Sequence, residues 1–342
     1  MLQITLHDVA DLRLSDVAMP EAPPPGWVQV RVRRVGICGT DLHAYAGRQP
    51  FFRYPRVLGH ELAVTVHALG AGVQTVAVGD DVAVRPYLEC GSCRACRTGR
   101  TNCCERLTVL GVHIDGGMSA FINLPATHLH HAHGVALDGL ALVEMLSIGF
   151  HAVRRASPRA DDTVVVVGLG PIGLGVCLAA RARGLAVIAV DPSPNRRAFA
   201  SDQRLVAQAI DPGTDVVAAV RAACGGSLPD VVLDATGHPA AMEASFGLPI
   251  NSGTLVFVGL VQGDLRFADP EFHRREVTLL ASRNATAIDF DAVIAALPSI
   301  DIGAWVTHRT TPATLATEMP LWRDPAYGVI KGMLDMDAST VC

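Results

Sequence analysis

Val164-Val165-Val166-Val167-Gly168-Leu169-Gly170-Pro171-Ile172-Gly173 decides how the second half of this chain folds. Four consecutive valines read as a strand buried on both faces, the glycines as a sharp turn, and Leu174 to Arg183 as the helix that follows. Gly168 allows the tight turn, Gly170 lets backbone approach a pyrophosphate, and Gly173 lets helix pack on strand. Phosphates then lie at the positive N-terminus of that helix, beside Pro171 and Ile172 of the turn. A second strand, Ala186 to Val190, ends in Asp191, which follows Gly168 by 23 positions. A carboxylate there accepts hydrogen bonds from a ribose 2′-OH and repels a 2′-phosphate, which favours NAD over NADP. Arg196 and Arg197 come next and are expected to face solvent from a helix start.

Thr163 to Ala180 carries no charge and is long enough to raise the question of a membrane helix. Its glycines and Pro171 favour the strand, turn and helix. The alternation continues with Val231 to Ala235, a helical Ala240 to Leu248, Leu255 to Gly259, and Val277 to Leu280. Strands and helices in this order make a doubly wound parallel sheet. Beyond about residue 286 two helical pieces, Asp289 to Leu297 and Thr311 to Trp322, precede a last strand, Val329 to Leu334, and residues 298 to 310 are expected to return to the first domain.

Upstream the period changes. Val28-Gln29-Val30-Arg31-Val32 alternates as a half-buried strand does, and short strands such as Ala63 to Leu69 and Asp81 to Val84 recur to about residue 125. A chain of 342 residues is expected to form two domains. The expected division is an α/β chain with a β-rich domain over 1–150, a dinucleotide-binding domain over 151–286, and a return to the first over 287–342.

The β-rich part carries chemistry. Gly36-Ile37-Cys38-Gly39-Thr40-Asp41-Leu42-His43 reads as a turn into a short helix, with Gly36 and Gly39 permitting the tight backbone. Gly59-His60-Glu61 opens a strand about twenty residues on. Thiolate, imidazole, carboxylate and hydroxyl together suit a Zn²⁺ ion that keeps one position open. Further on, Cys90, Cys93, Cys96 and Cys104 form a C-x2-C-x2-C-x7-C pattern. Four thiolates close a tetrahedral shell, the signature of structural zinc, although four cysteines also serve iron-sulfur clusters. Cys103 is the odd member, and spacing alone permits an exchange with Cys104. Five of nine cysteines crowd into this segment, which favours metal over a disulfide framework. His128-Leu129-His130-His131-Ala132-His133 is read as a solvated loop rather than a metal tract.

A formal net charge of -5 with no basic block gives no electrostatic case for nucleic acid or anionic membrane as the main partner. The first residues lack a basic start followed by an apolar core, so the cytoplasm is the expected location.

These motifs together resemble the zinc-containing medium-chain dehydrogenases of the alcohol, sorbitol and threonine dehydrogenase superfamily, essentially from end to end. Narrower segments resemble its sugar-acid branch: Gln49 to Phe52, Gly99 to Cys104, Gly111 to His113, Asp269 to His273 and Ser282 to Thr286. The resemblance implies a GroES-like catalytic domain beside a Rossmann domain. It implies a catalytic zinc on Cys38 and His60, with Glu61 and Glu144 binding directly or through water, and structural zinc on the four cysteines. Thr40 and His43 match the hydroxyl and imidazole of a proton relay. Gly259, Ser282, Arg283 and Arg196 join the glycine turn and Asp191 as cofactor contacts. Arg48, Phe51, His113 and Arg283 are candidates to meet a substrate carboxylate or its neighbours. Two zinc ions, NAD and a homodimer or homotetramer are expected, with a polyol or an L-galactonate-like aldonate as substrate. A threonine or simple alcohol substrate, or an idle zinc and nucleotide sensor, are the alternatives. Two departures stand out: Val64 where the pattern usually has Gly after Gly-His-Glu, and Met145-Leu146 after Glu144 where Pro is commoner.

Overall fold

The computed structural model describes residues 1–49, 52–213 and 215–338. The chain divides into two compact units, Met1–Glu144 with Thr286–Cys342, and Met145–Ala285. The first division falls inside the helix Leu137–Ala156.

The first unit is β-rich. Its main sheet runs in the order Leu129–His131, Asp81–Val84, Glu61–Leu69, Trp27–Ile37, Lys331–Asp335, Val306–Thr310, and Phe121–Pro125 also pairs with Trp27–Ile37. Trp27–Ile37 is the longest strand and the axis of this sheet. Its Gly36 faces Glu61 on one neighbour and Met333 on the other. Val28, Val30 and Val32 point into a core shared with Leu58, Leu62, Val64, Val66, Val82 and Leu124. Val64 is therefore fully buried in the core, three residues along the strand from Glu61.

Two expectations shift in this unit. Residues Leu129–His131 form a strand paired with Asp81–Val84, not a solvated loop. His128 and His130 are buried: His128 Nε2 contacts Glu89 Oε2 at 3.1 Å, and His130 stacks on Phe290. Burial of alternate rings supplied a reason for the polar run that its composition hid. The segment read as a helix over 311–322 holds only one short turn of helix, Leu315–Glu318, and a 3₁₀ turn at Leu321–Arg323. Pro320 interrupts it.

The second unit is a six-stranded sheet in the order Gln208–Ile210, Val187–Val190, Val164–Val167, Val231–Asp234, Thr254–Phe257, Thr278–Ala281, parallel throughout. The order reverses between Val164–Val167 and Val231–Asp234, which is where such sheets open a crevice for a ligand. All four valines of Val164–Val167 are buried, as a strand covered on both faces requires.

Candidate functional site

The strand Trp27–Ile37 delivers Cys38 to the N-cap of the helix Gly39–Tyr45. Asp41, in the first turn, accepts the Cys38 N–H at 2.9 Å, and its other oxygen accepts the Gly59 N–H at 3.3 Å. One fully buried carboxylate thereby fixes both the cysteine loop and the approach to His60. Burial pushes the Asp41 pKa up. The result is convergence: ligand atoms of Cys38, His60 and Glu61 lie within 4.8 Å of one another.

Gly36 has a strand conformation, and its role differs from the tight turn expected of it. A Cβ there would stand 2.1 Å from Glu61 Oε2, so the missing side chain makes room for that carboxylate. Glu61 reaches over Gly36 to Lys331, whose Nζ lies 2.7 and 2.5 Å from its two oxygens. Glu144, on the helix Leu137–Ala156, is also buried and accepts the hydroxyl of Tyr87.

The electrostatics are those of a crowded anionic pocket. Burial disfavours a charged His60, yet the neighbouring Cys38 thiolate and Asp41 carboxylate outweigh it and hold its pKa well above the usual imidazole range. A divalent cation satisfies the same charges that otherwise retain that proton. Burial, with Glu61 nearby, raises Glu144 although His60, Tyr87 and Lys331 oppose it. Burial and the charge of Glu144 push Tyr87 up. One soft thiolate, one imidazole and oxygen donors make a set that fits zinc with a position to spare. Thr40 is half-buried and His43 exposed, one turn apart on the same helix.

In the cysteine lobe the sulfurs of Cys90, Cys93, Cys96 and Cys104 all lie within 4.8 Å of one another. Backbone N–H groups of Cys93, Cys90 and Arg106 point at sulfur from 3.4, 3.3 and 3.3 Å. Such donors stabilise thiolates. The Arg106 side-chain hydrogen bond and the backbone amides of Ser92 and Cys93 pull Cys90 down to about 4. Cys103 is exposed and outside the cluster, so the geometry selects Cys104.

In the second unit Gly168 has φ +90°, which only glycine adopts freely, and a Cβ on Gly173 would stand 1.8 Å from the Gly168 carbonyl oxygen. A Cβ on Gly170 would meet nothing, which leaves space where a phosphate approaches. Gly170 caps Pro171–Ala182 with no side-chain bond, and Ile172 lies in its first turn. Asp191 accepts N–H bonds from Leu169 at 2.6 Å and Ser193 at 2.8 Å, which locks the carboxylate beside the glycine turn. Arg196 lies 3.9 Å from it. Arg197 turns inward, against expectation, to the Asp191 carbonyl at 2.6 Å and Asp211 at 2.9 Å. A Cβ on Gly259 would stand 2.3 Å from the Gly237 nitrogen, so two loops cross there backbone to backbone. Ser282 Oγ and Asn284 Nδ2 are buried with no partner among the described residues, polar atoms that a bound dinucleotide can satisfy.

Of the substrate candidates, Arg48 is exposed and its N–H bonds the His43 carbonyl at 2.8 Å. His113 is exposed, with Nδ1 accepting the Val109 N–H at 3.1 Å. Arg283 is exposed in the second unit. Phe51 lies outside the described residues. The sequence reading gave no role to Asp41 and did not single out Tyr87 or Lys331. Only Lys331 left a signal: it is the chain's single lysine.

Residues 24–134 match the alcohol dehydrogenase GroES-like domain, and residues 171–299 the zinc-binding dehydrogenase domain. The chain is 46% identical over 301 residues to L-galactonate-5-dehydrogenase of Escherichia coli K12, covering 86% of this chain and 88% of that one. It is 34% identical to 2-dehydro-3-deoxy-L-galactonate 5-dehydrogenase of Pseudoalteromonas atlantica, covering 86% and 88%. An alcohol dehydrogenase from E. coli CFT073, solved with NADH, superposes with a TM-score of 0.91 at 29% identity over 98% of this chain and 99% of the other.

Proposed function

This chain belongs to the zinc-binding dehydrogenases with an alcohol dehydrogenase GroES-like domain, and from that membership we propose that it oxidises a secondary alcohol of a polyol or sugar acid with NAD, an L-galactonate-like aldonate first among them. The observation that carries the reading is the convergence of Cys38, His60 and Glu61 ligand atoms within 4.8 Å. Residues Cys38 and His60, with Glu61 or Glu144, would hold a catalytic zinc, and Cys90, Cys93, Cys96 and Cys104 a structural one, giving two per chain. Zinc supplies Lewis acidity toward the alcohol oxygen, and the nicotinamide supplies a two-electron acceptor for hydride.

The chain's own residues do the rest. Thr40 takes the alcohol proton and passes it toward His43, one turn further along the helix and open to solvent. With both groups bound, the alcohol would give up hydride to the nicotinamide and a proton to solvent through Thr40 and His43, and leave as a ketone. Gly168, Gly170 and Gly173 would cradle the pyrophosphate, and Asp191 would take the adenosine ribose hydroxyls, which favours NAD. Arg196, Gly259, Ser282 and Arg283 complete the cofactor contacts. A homodimer or homotetramer fits the exposed edge strand Thr278–Ala281, where Leu279 is open to solvent. No helix among the described residues is long and apolar enough to cross a membrane.

The test is incubation of the zinc-loaded protein with NAD⁺ and a panel of aldonates and polyols, followed by absorbance of the reduced cofactor. L-galactonate or a near epimer is expected to give the largest kcat/KM. A panel that gives no reduction at all favours a catalytically idle sensor.

A further inference from the structure

The chain carries 28 basic side chains of the Lys/Arg type, and 27 of them are arginine. The exception, Lys331, is 2% exposed in the strand Lys331–Asp335. A composition that uses arginine everywhere else has kept an ammonium at one buried position. The surroundings give a reason.

Lys331 Nζ donates to the Ile37 carbonyl at 3.2 Å and to Glu61 Oε1 and Oε2 at 2.7 and 2.5 Å. Those three acceptors use all three donors of an ammonium. Glu61 and Lys331 sit on strands either side of Trp27–Ile37, and Gly36 between them leaves the gap through which the carboxylate passes. A guanidinium is wider and planar, a different shape from the ammonium that the Ile37 carbonyl and the two Glu61 oxygens enclose.

Glu61 is at once half of this ion pair and a member of the Cys38–His60 cluster. Its charge can be satisfied by the ammonium or by a metal, and both oxygens are already engaged by the ammonium. We propose that Lys331 is a positioning residue that withholds Glu61 from the catalytic metal, so that Cys38 and His60 ligate it without that carboxylate and a position stays free for substrate. The proposal rests on the zinc-dehydrogenase reading above. Removing the ammonium alone frees a buried carboxylate beside the metal, and that carboxylate becomes a ligand. Removing both charges restores the original ligand set, since hydrogen-bonded or apolar replacements of a buried ion pair are commonly tolerated.

The experiment exchanges cobalt(II) into the catalytic site, with the cysteine lobe left zinc-filled, and reads the visible d–d spectrum and chelator-competed metal affinity. K331M is expected to move the spectrum toward higher coordination number and to tighten binding about tenfold or more, within the range that partners of metal ligands command. E61Q/K331M is expected to return both to wild type, and K331R to fall between. A K331M protein with wild-type spectrum and affinity overturns the proposal, and so does a double variant whose spectrum departs from wild type. If K331M does not fold, the double variant decides. Failure of the wild-type protein to bind any metal at Cys38 and His60 overturns the zinc reading itself, a result distinct from metal bound without response to Lys331.

Discussion

Asp41 Oδ1 accepts the backbone N–H of Gly59 at 3.3 Å, a bond that spans eighteen residues of sequence and ties the Cys38 helix to the strand of His60. With its second bond to the Cys38 N–H it makes one carboxylate the hinge of the ligand set. D41A leaves the buried Gly59 N–H without an acceptor, at about 1–3 kcal/mol, and also frees the half-buried Cys38 N–H. Chemical denaturation is expected to show that loss, and metal analysis to show the catalytic zinc reduced while the cysteine-lobe zinc stays. Full retention of both ions would show that Asp41 is not the hinge.

T40V removes the hydroxyl that receives the substrate proton while keeping the shape of the side chain. Turnover is expected to fall about 10²–10⁴-fold, the usual weight of a positioned proton acceptor, with zinc content unchanged. H43A is expected to lower turnover less and to be rescued by added imidazole. Wild-type rates in T40V would remove the relay.

C104S is expected to leave one zinc per chain and a disordered lobe, because a structural site on this scale holds on the order of 10 kcal/mol of folding free energy. C103S is expected to retain both ions, since Cys103 is exposed and apart from the four clustered sulfurs. Equal zinc loss in the two variants would contradict the assignment.

G173A forces a Cβ to 1.8 Å from the Gly168 carbonyl oxygen, a backbone atom that cannot yield without unpacking the turn. Thermal unfolding is expected to shift markedly downward. G170A meets no protein atom, so it is expected to fold normally and to lose NAD⁺ affinity alone, as read by calorimetry. The two substitutions separate a packing glycine from a ligand-facing one.

Asp138 gives a pH prediction. Burial raises its pKa, but the hydrogen bond and charge of Arg309, with Arg34 adding to both, outweigh burial and lower it overall. A depressed carboxylate contributes stability that is fully present above its unfolded value of about 3.9 and is lost as pH falls through the lower folded value. D138N is expected to be less stable than wild type at neutral pH by about 1 kcal/mol or less after solvent screening. Urea midpoints for the two proteins should converge below about pH 4. A gap that does not change with pH would contradict the ion pair.

Local spacing made the cysteine lobe and the Gly168 turn legible in the sequence, because each brings its chemistry together within a dozen or so residues. The Asp191 carboxylate was legible for the same reason, one strand further on. Lys331 and Glu61 are 270 residues apart, and Tyr87 and Glu144 are 57 apart. No periodicity encodes such pairs; for Lys331 and Glu61 sheet order does, through a central strand whose two neighbours come from opposite ends of the chain. The histidines at 128–131 look exposed in sequence because they are polar, but Glu89, Asp291 and Phe290 give the rings of His128 and His130 partners. Gly36 looks like a turn glycine in sequence because its use, space for a side chain twenty-five residues away, is not local.

The central claim is tested most directly by anomalous diffraction at the zinc edge from crystals grown with NAD⁺. The account predicts two peaks per chain, one enclosed by Cys90, Cys93, Cys96 and Cys104 and one within bonding distance of Cys38 and His60. A single peak in the cysteine lobe, with nothing at Cys38 and His60 in zinc-replete protein, would contradict it.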